Sequence, residues 1–285
     1  MAKNSKILLG VFVILAMLFM YSSNISNNVT IIESEVIRYV RFAKDNITSY
    51  GIHDGNTIYQ LSDAPYNNGS LTGKVFKTEN VRFLAPAEPS KVIAVGYNYH
   101  SHRGDIQLPE HPPLFLKLPT SIIGPEENII YPEGASNLHY EAELVIVIGK
   151  TTSKVSPKEA GSSIFGVTAG NDVSERNWQS NDLQWFRGKA SDTFGPIGPA
   201  IVTGLNFKDL LVQSKLNGQV MQSQRTKDHI HDVDTIVSHI SQTVTLYPGD
   251  VIFTGTPGST TAMKPGDIIE IEVEGVGVLR NHVVK

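Results

Sequence analysis

From residue 91 onward the chain is a series of short apolar runs, each cut off by glycine or proline. "KVIAVG", "LFLK", "AELVIVIG", "SIFGVTAG" and "PAIVT" are examples. Runs of about four to eight residues suit buried strands and are too short for buried helices. There are 24 glycines and 15 prolines in 285 residues, and charged residues make up 18%. Low charge with frequent turn formers excludes a disordered or coiled-coil chain. The expected class is therefore β-rich α+β. Helical patterns are confined to residues 156–162, 175–187, 206–211 and 231–240. The first opens with Ser156 as N-cap, Pro157 at N1 and Glu159 at N3.

Residues 33–85 read as a small antiparallel β domain, with hairpin signals at Asp45-Asn46 and Asp54-Gly55. Residues 85–90, "APAEPS", read as a connector to a large domain over 90–285. Two Pro-Gly-Asp turns, at Pro248 and Pro265, each lead into a strand pattern. The net charge of −4 offers no basic excess, so nucleic acid is excluded as a partner. The absence of cysteine excludes disulfides, thiolate metal sites and a cysteine nucleophile.

The first 28 residues read as a separate segment: Lys3 and Lys6, an apolar run from Ile7 to Tyr21, then an Asn/Ser linker. Fifteen helical residues span about 22 Å, short of a hydrocarbon core of roughly 30 Å. The expectation is a signal peptide or membrane anchor over residues 7–21, with the body membrane-anchored or secreted outside the cytoplasm. Asn-x-Ser/Thr triplets at Asn24, Asn28, Asn46 and Asn68 agree with export in a host that glycosylates.

The chemistry concentrates in five stretches. In "YEAELVIVIGK", Glu141 and Glu143 share one strand face. Two converging carboxylates repel unless a positive charge lies between them, and a hard divalent cation meets that need. An exposed strand with two solvated glutamates is the alternative. "AGNDVSERNWQ" adds Asp172, with Arg176 and Gln179 spaced for one helical face. "RGKASDTFGPIGP" places Lys189 in a Gly/Pro-rich loop, where a lysine stabilises an oxyanion or is simply solvated. "TGTPG" offers Thr256 and backbone N–H groups to a carboxylate. In "YHSHRGD", His100 and His102 fall on one side of a strand, and His102 with Asp105 makes a base whose tautomer a carboxylate fixes.

The succession "VGYNYHSH", "PLFLKLPTSIIGP", "YEAELVIVIGK", "GVTAGNDVSERNWQ", "RGKASDTFGPIGPAIVT" and "LYPGDVIFTGTPG" resembles the fumarylacetoacetate hydrolase superfamily over about residues 35–285. The resemblance implies a mixed β-sandwich roll with a small N-terminal β domain, and a homodimer. It implies Mg²⁺ or Mn²⁺ held by Glu141, Glu143 and Asp172. Lys189 matches the lysine that supports an enolate oxygen. Arg176 and Gln179 match positions near substrate, and Thr256 the threonine facing a substrate carboxylate. The implied substrate is a small 2-oxo acid or 2-hydroxy-dienoic diacid, which is isomerised, decarboxylated or hydrolysed. Two departures stand out. Hydrolytic members carry His-x-x-Glu, whereas His102 is followed by Arg103, Gly104 and Asp105, one methylene shorter. The T-G-T-P element continues "GSTTAMKPGD" rather than x-G-V-G. The first departure bears on hydrolysis, the second on the loop's shape and side-chain specificity. The competing expectation is an exported module that binds metal and carboxylate without turnover.

Overall fold

Each apolar run forms a strand in the computed structural model, which describes residues 36–107 and 110–285. The expected leader at 7–21 and the Asn24 and Asn28 triplets lie outside the described residues. Twelve strands form one mixed sheet. Its main path runs Leu71–Lys77, Thr57–Leu61, Ile47–Asp54, Ile37–Lys44, Gly195–Thr203, Ile164–Asn171, Ala142–Ile148, Val251–Phe253, Val92–Val95 and Leu114–Lys117. A second sheet of five strands runs Gln219–Arg225, Leu211–Leu216, Ile268–Val273, Gly277–Val284 and Asn128–Ile130. The fold is β-rich α+β, as expected.

The turns follow local chemistry. Asp45 and Asn46 both take positive φ, at 50° and 63°, which is the hairpin geometry that matches strand twist. After the Pro-Gly-Asp turns, Val251–Phe253 and Ile268–Val273 are strands.

The strand Ala142–Ile148 is buried along its whole length. Leu144, Ile146 and Ile148 join one core with Ile269, Ile271, Val273 and the helix Val233–Ser241. Val145 and Val147 join a second core with Val92, Ala94, Ile197, Ile201, Val251 and Phe253. Burial on both faces explains why the run shows no polar alternation. Each such side chain contributes roughly 1.5–3 kcal/mol of transfer free energy. Glu143 lies on the Val145 face, so two stacked cores hold its backbone rigid.

Three local expectations differ from the structure. Residues 206–211 form no helix: Asn206 accepts the amides of Asp209 on its backbone and Lys208 on its side chain, a turn that leads into strand Leu211–Leu216. His100 and His102 sit on a short helix, His100–Arg103, where the Tyr99 carbonyl accepts from both His102 and Arg103. Residues two apart on a helix point apart, so the two histidines do not share a face. The helix expected over 175–187 is broken into Arg176–Asn181, a 3₁₀ turn Leu183–Trp185 and Phe186–Ala190.

His229 carries a testable consequence of burial. Its ring meets the Tyr99 ring edge-on at 4.7 Å. Burial lowers its pKa from 6.5 to about 4, with Asp228 and Asp232 opposing. Above the unfolded pKa both states are neutral and the residue adds no pH dependence. As pH falls toward the folded value the unfolded chain takes up the proton first, and stability declines by up to about 3 kcal/mol. Denaturant titrations at about pH 7 and about pH 4.5 should show this acid loss shrinking in His229→Gln.

Candidate active site

The site is built where two adjacent strands end. Strand Ala142–Ile148 pairs antiparallel with Ile164–Asn171, so that Ala142 faces Asn171. Glu141 precedes the first strand and Asp172 follows the second. Two hydrogen bonds lock this corner. Asp172 N–H donates to the Glu141 carbonyl at 3.0 Å, and Glu141 N–H donates to Asn171 Oδ1 at 2.9 Å. Glu141, Glu143 and Asp172 are all buried, and their oxygens converge within 4.8 Å of one another.

Three cations reach this cluster of carboxyl groups. Lys189 Nζ bridges Glu141 Oε2 at 2.6 Å and Asp172 Oδ2 at 2.5 Å. Lys117 Nζ donates to Asp172 Oδ1 at 2.5 Å and to the Lys189 carbonyl. Arg176 Nη2 donates to Glu141 Oε1 at 2.6 Å. Burial opposes ionisation of Glu141, yet Lys189 and Arg176 hold its pKa well below the ordinary range. Glu143 is different. Burial and then the Asp172 and Glu141 charges push it well above the ordinary range, against the Gly255 amide, which donates to Glu143 Oε2 at 2.7 Å. Burial lowers Lys117, and Asp172 opposes that shift.

Local sequence places each group. Glu175 caps the short helix Arg176–Asn181, accepting Trp178 N–H at 2.6 Å and, on its other oxygen, the amides of Ser136 and Asn137. This sets Arg176 over Glu141. A Cβ at Gly188 would lie 2.7 Å from the Gln179 nitrogen, so glycine alone lets the Lys189 helix approach the Arg176 helix. Gly255 sits at φ +104°, where a Cβ would strike Asn98 at 2.6 Å. Asn98 in turn donates to the Thr254 carbonyl and accepts His231 N–H.

The carboxylates line a cavity of about 150 Å³ walled by Tyr97, His102, Phe115, Arg176, Gln179, Trp185, Lys189 and Thr256. Trp185 meets the rings of Tyr97 and Phe115 edge-on, and Tyr97, Gln184 and Trp185 all hold positive φ of 55–60°. Each costs roughly 1–3 kcal/mol, a strain typical of functional walls. His102 Nδ1 lies 2.6 Å from the Gly258 carbonyl. A carbonyl only accepts, so Nδ1 bears the proton and Nε2 faces Glu141 Oε1 at 3.4 Å.

Eight of the nine expected residues gather here. Asp105 does not: it is exposed and makes no pair with His102. Thr256 lines the cavity, but its hydroxyl donates to the Ala142 carbonyl and accepts from Gln222. Lys117 and Gln222 were missed. Gln222 also accepts Ala142 N–H, tying the T-G-T-P loop to the glutamate strand. Three hard, buried oxygen donors fit a hard divalent cation, and Glu141, Glu143 and Asp172 would hold it. Removing one partner of a buried ion pair costs about 3–5 kcal/mol. Lys117→Met should therefore lower stability by about that amount, and saturating Mg²⁺ should restore part of it by supplying charge beside Asp172; denaturant titration with and without the ion measures both.

Residues 91–284 match the fumarylacetoacetate (FAA) hydrolase C-terminal family, and residues 37–86 match an Rv2993c-like N-terminal family. Protein Rv2993c of Mycobacterium tuberculosis is 43% identical over 234 residues, 80% of this chain and 88% of that protein. A bovine protein named oxaloacetate tautomerase FAHD2A, mitochondrial, is 39% identical over 225 residues, 74% of this chain and 72% of that protein. A crystal structure of a 2-hydroxyhepta-2,4-diene-1,7-dioate isomerase from Mycobacterium marinum superposes with a TM-score of 0.82 at 41% identity, covering 87% of this chain and 98% of that one. These findings overturn the expected membrane-anchored or secreted placement. A relative sharing this body is by name mitochondrial. Charge and hydropathy read a leader only from its own residues, and the rest of the chain is built like these enzymes. With that correction, the chain belongs to the fumarylacetoacetate hydrolase family.

Proposed function

We propose that this enzyme uses Mg²⁺ or Mn²⁺ to interconvert the keto and enol forms of a small 2-oxo diacid of the oxaloacetate class. The observation that carries the reading is the convergence of Glu141, Glu143 and Asp172 within 4.8 Å, beside Lys189 and Arg176 on a cavity wall. A divalent cation held there supplies fixed positive charge that stabilises an enolate oxygen. Lys189 adds its ammonium charge next to that oxygen, and Arg176 receives a carboxylate. Tautomerisation moves one proton between O2 and C3 and breaks no carbon–carbon bond. His102 Nε2 is the group that carries the proton, because its ring is held by Nδ1–H on Gly258 with Nε2 toward the cavity.

The cavity, about 150 Å³, supports a compact substrate. The missing His102–Asp105 pair supports isomerisation over hydrolysis, since no carboxylate on that loop orients His102 to activate water. The reading takes the enzyme as a homodimer, supported by the open edge strand Leu114–Lys117 with Leu114 and Leu116 exposed. A relative named oxaloacetate tautomerase supports the substrate class.

The test follows ultraviolet absorbance of enol oxaloacetate with Mg²⁺ and with a chelator. Acceleration should vanish with the chelator and in Glu143→Ala, and fall about 10²-fold or more in His102→Ala. Acylpyruvate should be hydrolysed far more slowly. Metal-independent turnover, or hydrolysis as fast as tautomerisation, would overturn the proposal.

A further inference from the structure

Arg176 is held by more than its ion pair. Its Nη2 also donates to Thr260 Oγ1 at 3.1 Å, and its Nη1 donates to Gln179 Oε1 at 2.8 Å. A guanidinium has only donors, so Thr260 must accept there. The Thr260 hydroxyl proton is then free for His139 Nδ1, 2.8 Å away. His139 Nδ1 accepts, which puts the ring proton on Nε2. That proton goes to Asn137 Oδ1 at 2.9 Å, and the Asn137 carbonyl accepts Arg176 N–H at 3.0 Å. The chain of hydrogen bonds runs in one direction from guanidinium to hydroxyl to imidazole to side-chain amide, and the Arg176 N–H, donating to the backbone carbonyl of that same Asn137, closes the loop. The loop bearing Thr260 is stitched to the strand bearing His139: Met263 N–H donates to the Leu138 carbonyl at 2.7 Å, and His139 bridges Ala262.

Three of the five guanidinium donors are accounted for by Glu141, Gln179 and Thr260. The other two belong to a side chain that lines the cavity and is 21% exposed. A guanidinium left with Glu141 and Gln179 alone can pivot about those contacts. The Thr260 bond is the third point that fixes its plane.

We propose that Thr260 and His139 are positioning residues for Arg176, and that by fixing its plane they give the site its preference for acids with a second carboxylate. This rests on the reading of the cavity as a site for small 2-oxo diacids. Thr260 belongs to "GSTTA", where the T-G-T-P element departs from the pattern of the resemblance, so the device is part of this chain's own loop.

The probes are malate and lactate, 2-hydroxy acids that differ in the second carboxylate, titrated by calorimetry into the full chain with Mg²⁺. Thr260→Val should weaken malate about tenfold and lactate less than about twofold, the size of one charge-assisted hydrogen bond's influence. Thr260→Ser should restore malate binding, and His139→Phe should resemble Thr260→Val. In Arg176→Lys, adding Thr260→Val should have no further effect on malate. Equal weakening of both acids would mean that Thr260 only supports the loop and would overturn the proposal. So would no change in either acid, failure of serine to rescue, additivity in Arg176→Lys, or a wild type that does not distinguish malate from lactate. A wild type that prefers malate but does not tautomerise oxaloacetate would sink the proposed reaction and leave the positioning role standing. A wild type that binds neither would overturn both.

Discussion

Three buried carboxylates at the end of one strand pair are the constraint around which the rest of the site is arranged. Like charges within 4.8 Å, out of water, cannot stand alone. Lys117, Lys189 and Arg176 reach them from three separate parts of the chain. The sheet provides the stiffness. Core side chains on both faces of Ala142–Ile148 stop that strand from relaxing, so the carboxylates stay converged and the cations must come to them. The glycines at 188 and 255 follow from the same demand, since each permits a close approach that a Cβ would block.

The balance is uneven among the three acids. Glu141 and Asp172 are each met by two of these cations, whereas Glu143 is met by the backbone amide of Gly255. Burial and its two anionic neighbours therefore raise Glu143 while Lys189 and Arg176 lower Glu141. The acid with the weakest compensation is the one for which additional positive charge has the greatest effect. On the function proposed above, that is where a bound cation stabilises the protein as well as its substrate.

The sequence made much of this readable, because strand periodicity places Glu141 and Glu143 together and the Asp172-to-Gln179 spacing places Arg176 beside Gln179. The burial of the run 144–148 was equally legible from its unbroken apolar character. Lys117 was not, since a lysine ending "LFLK" reads as a strand terminus meeting water; only the arrival of Asp172 and of the Lys189 helix turns it inward. The break in the helix after Asn181 was hidden too. Gln184 and Trp185 adopt left-handed backbone that neither residue favours, and tertiary contacts of Trp185 with Tyr97 and Phe115 accompany it. The Thr260–His139 contact joins residues 121 apart in sequence, and no local pattern encodes it.

His102 shows how one loop sequence bears on the reaction. Its expected partner Asp105 is exposed past the short helix His100–Arg103, while Gly258, in the altered loop after T-G-T-P, takes its Nδ1 proton. A backbone carbonyl fixes a tautomer as a carboxylate does, and it leaves Nε2 directed at Glu141 Oε1, 3.4 Å away. On the proposed function, that nitrogen relays the proton between O2 and C3 of the 2-oxo acid. The same short loop that holds His102 through Gly258 holds Arg176 through Thr260, two residues on. On the proposed function, proton carrier and carboxylate clamp are aligned by one segment. A change in that segment would alter substrate preference and reaction type together, so differences between relatives in the residues after T-G-T-P should accompany differences in the chemistry they perform.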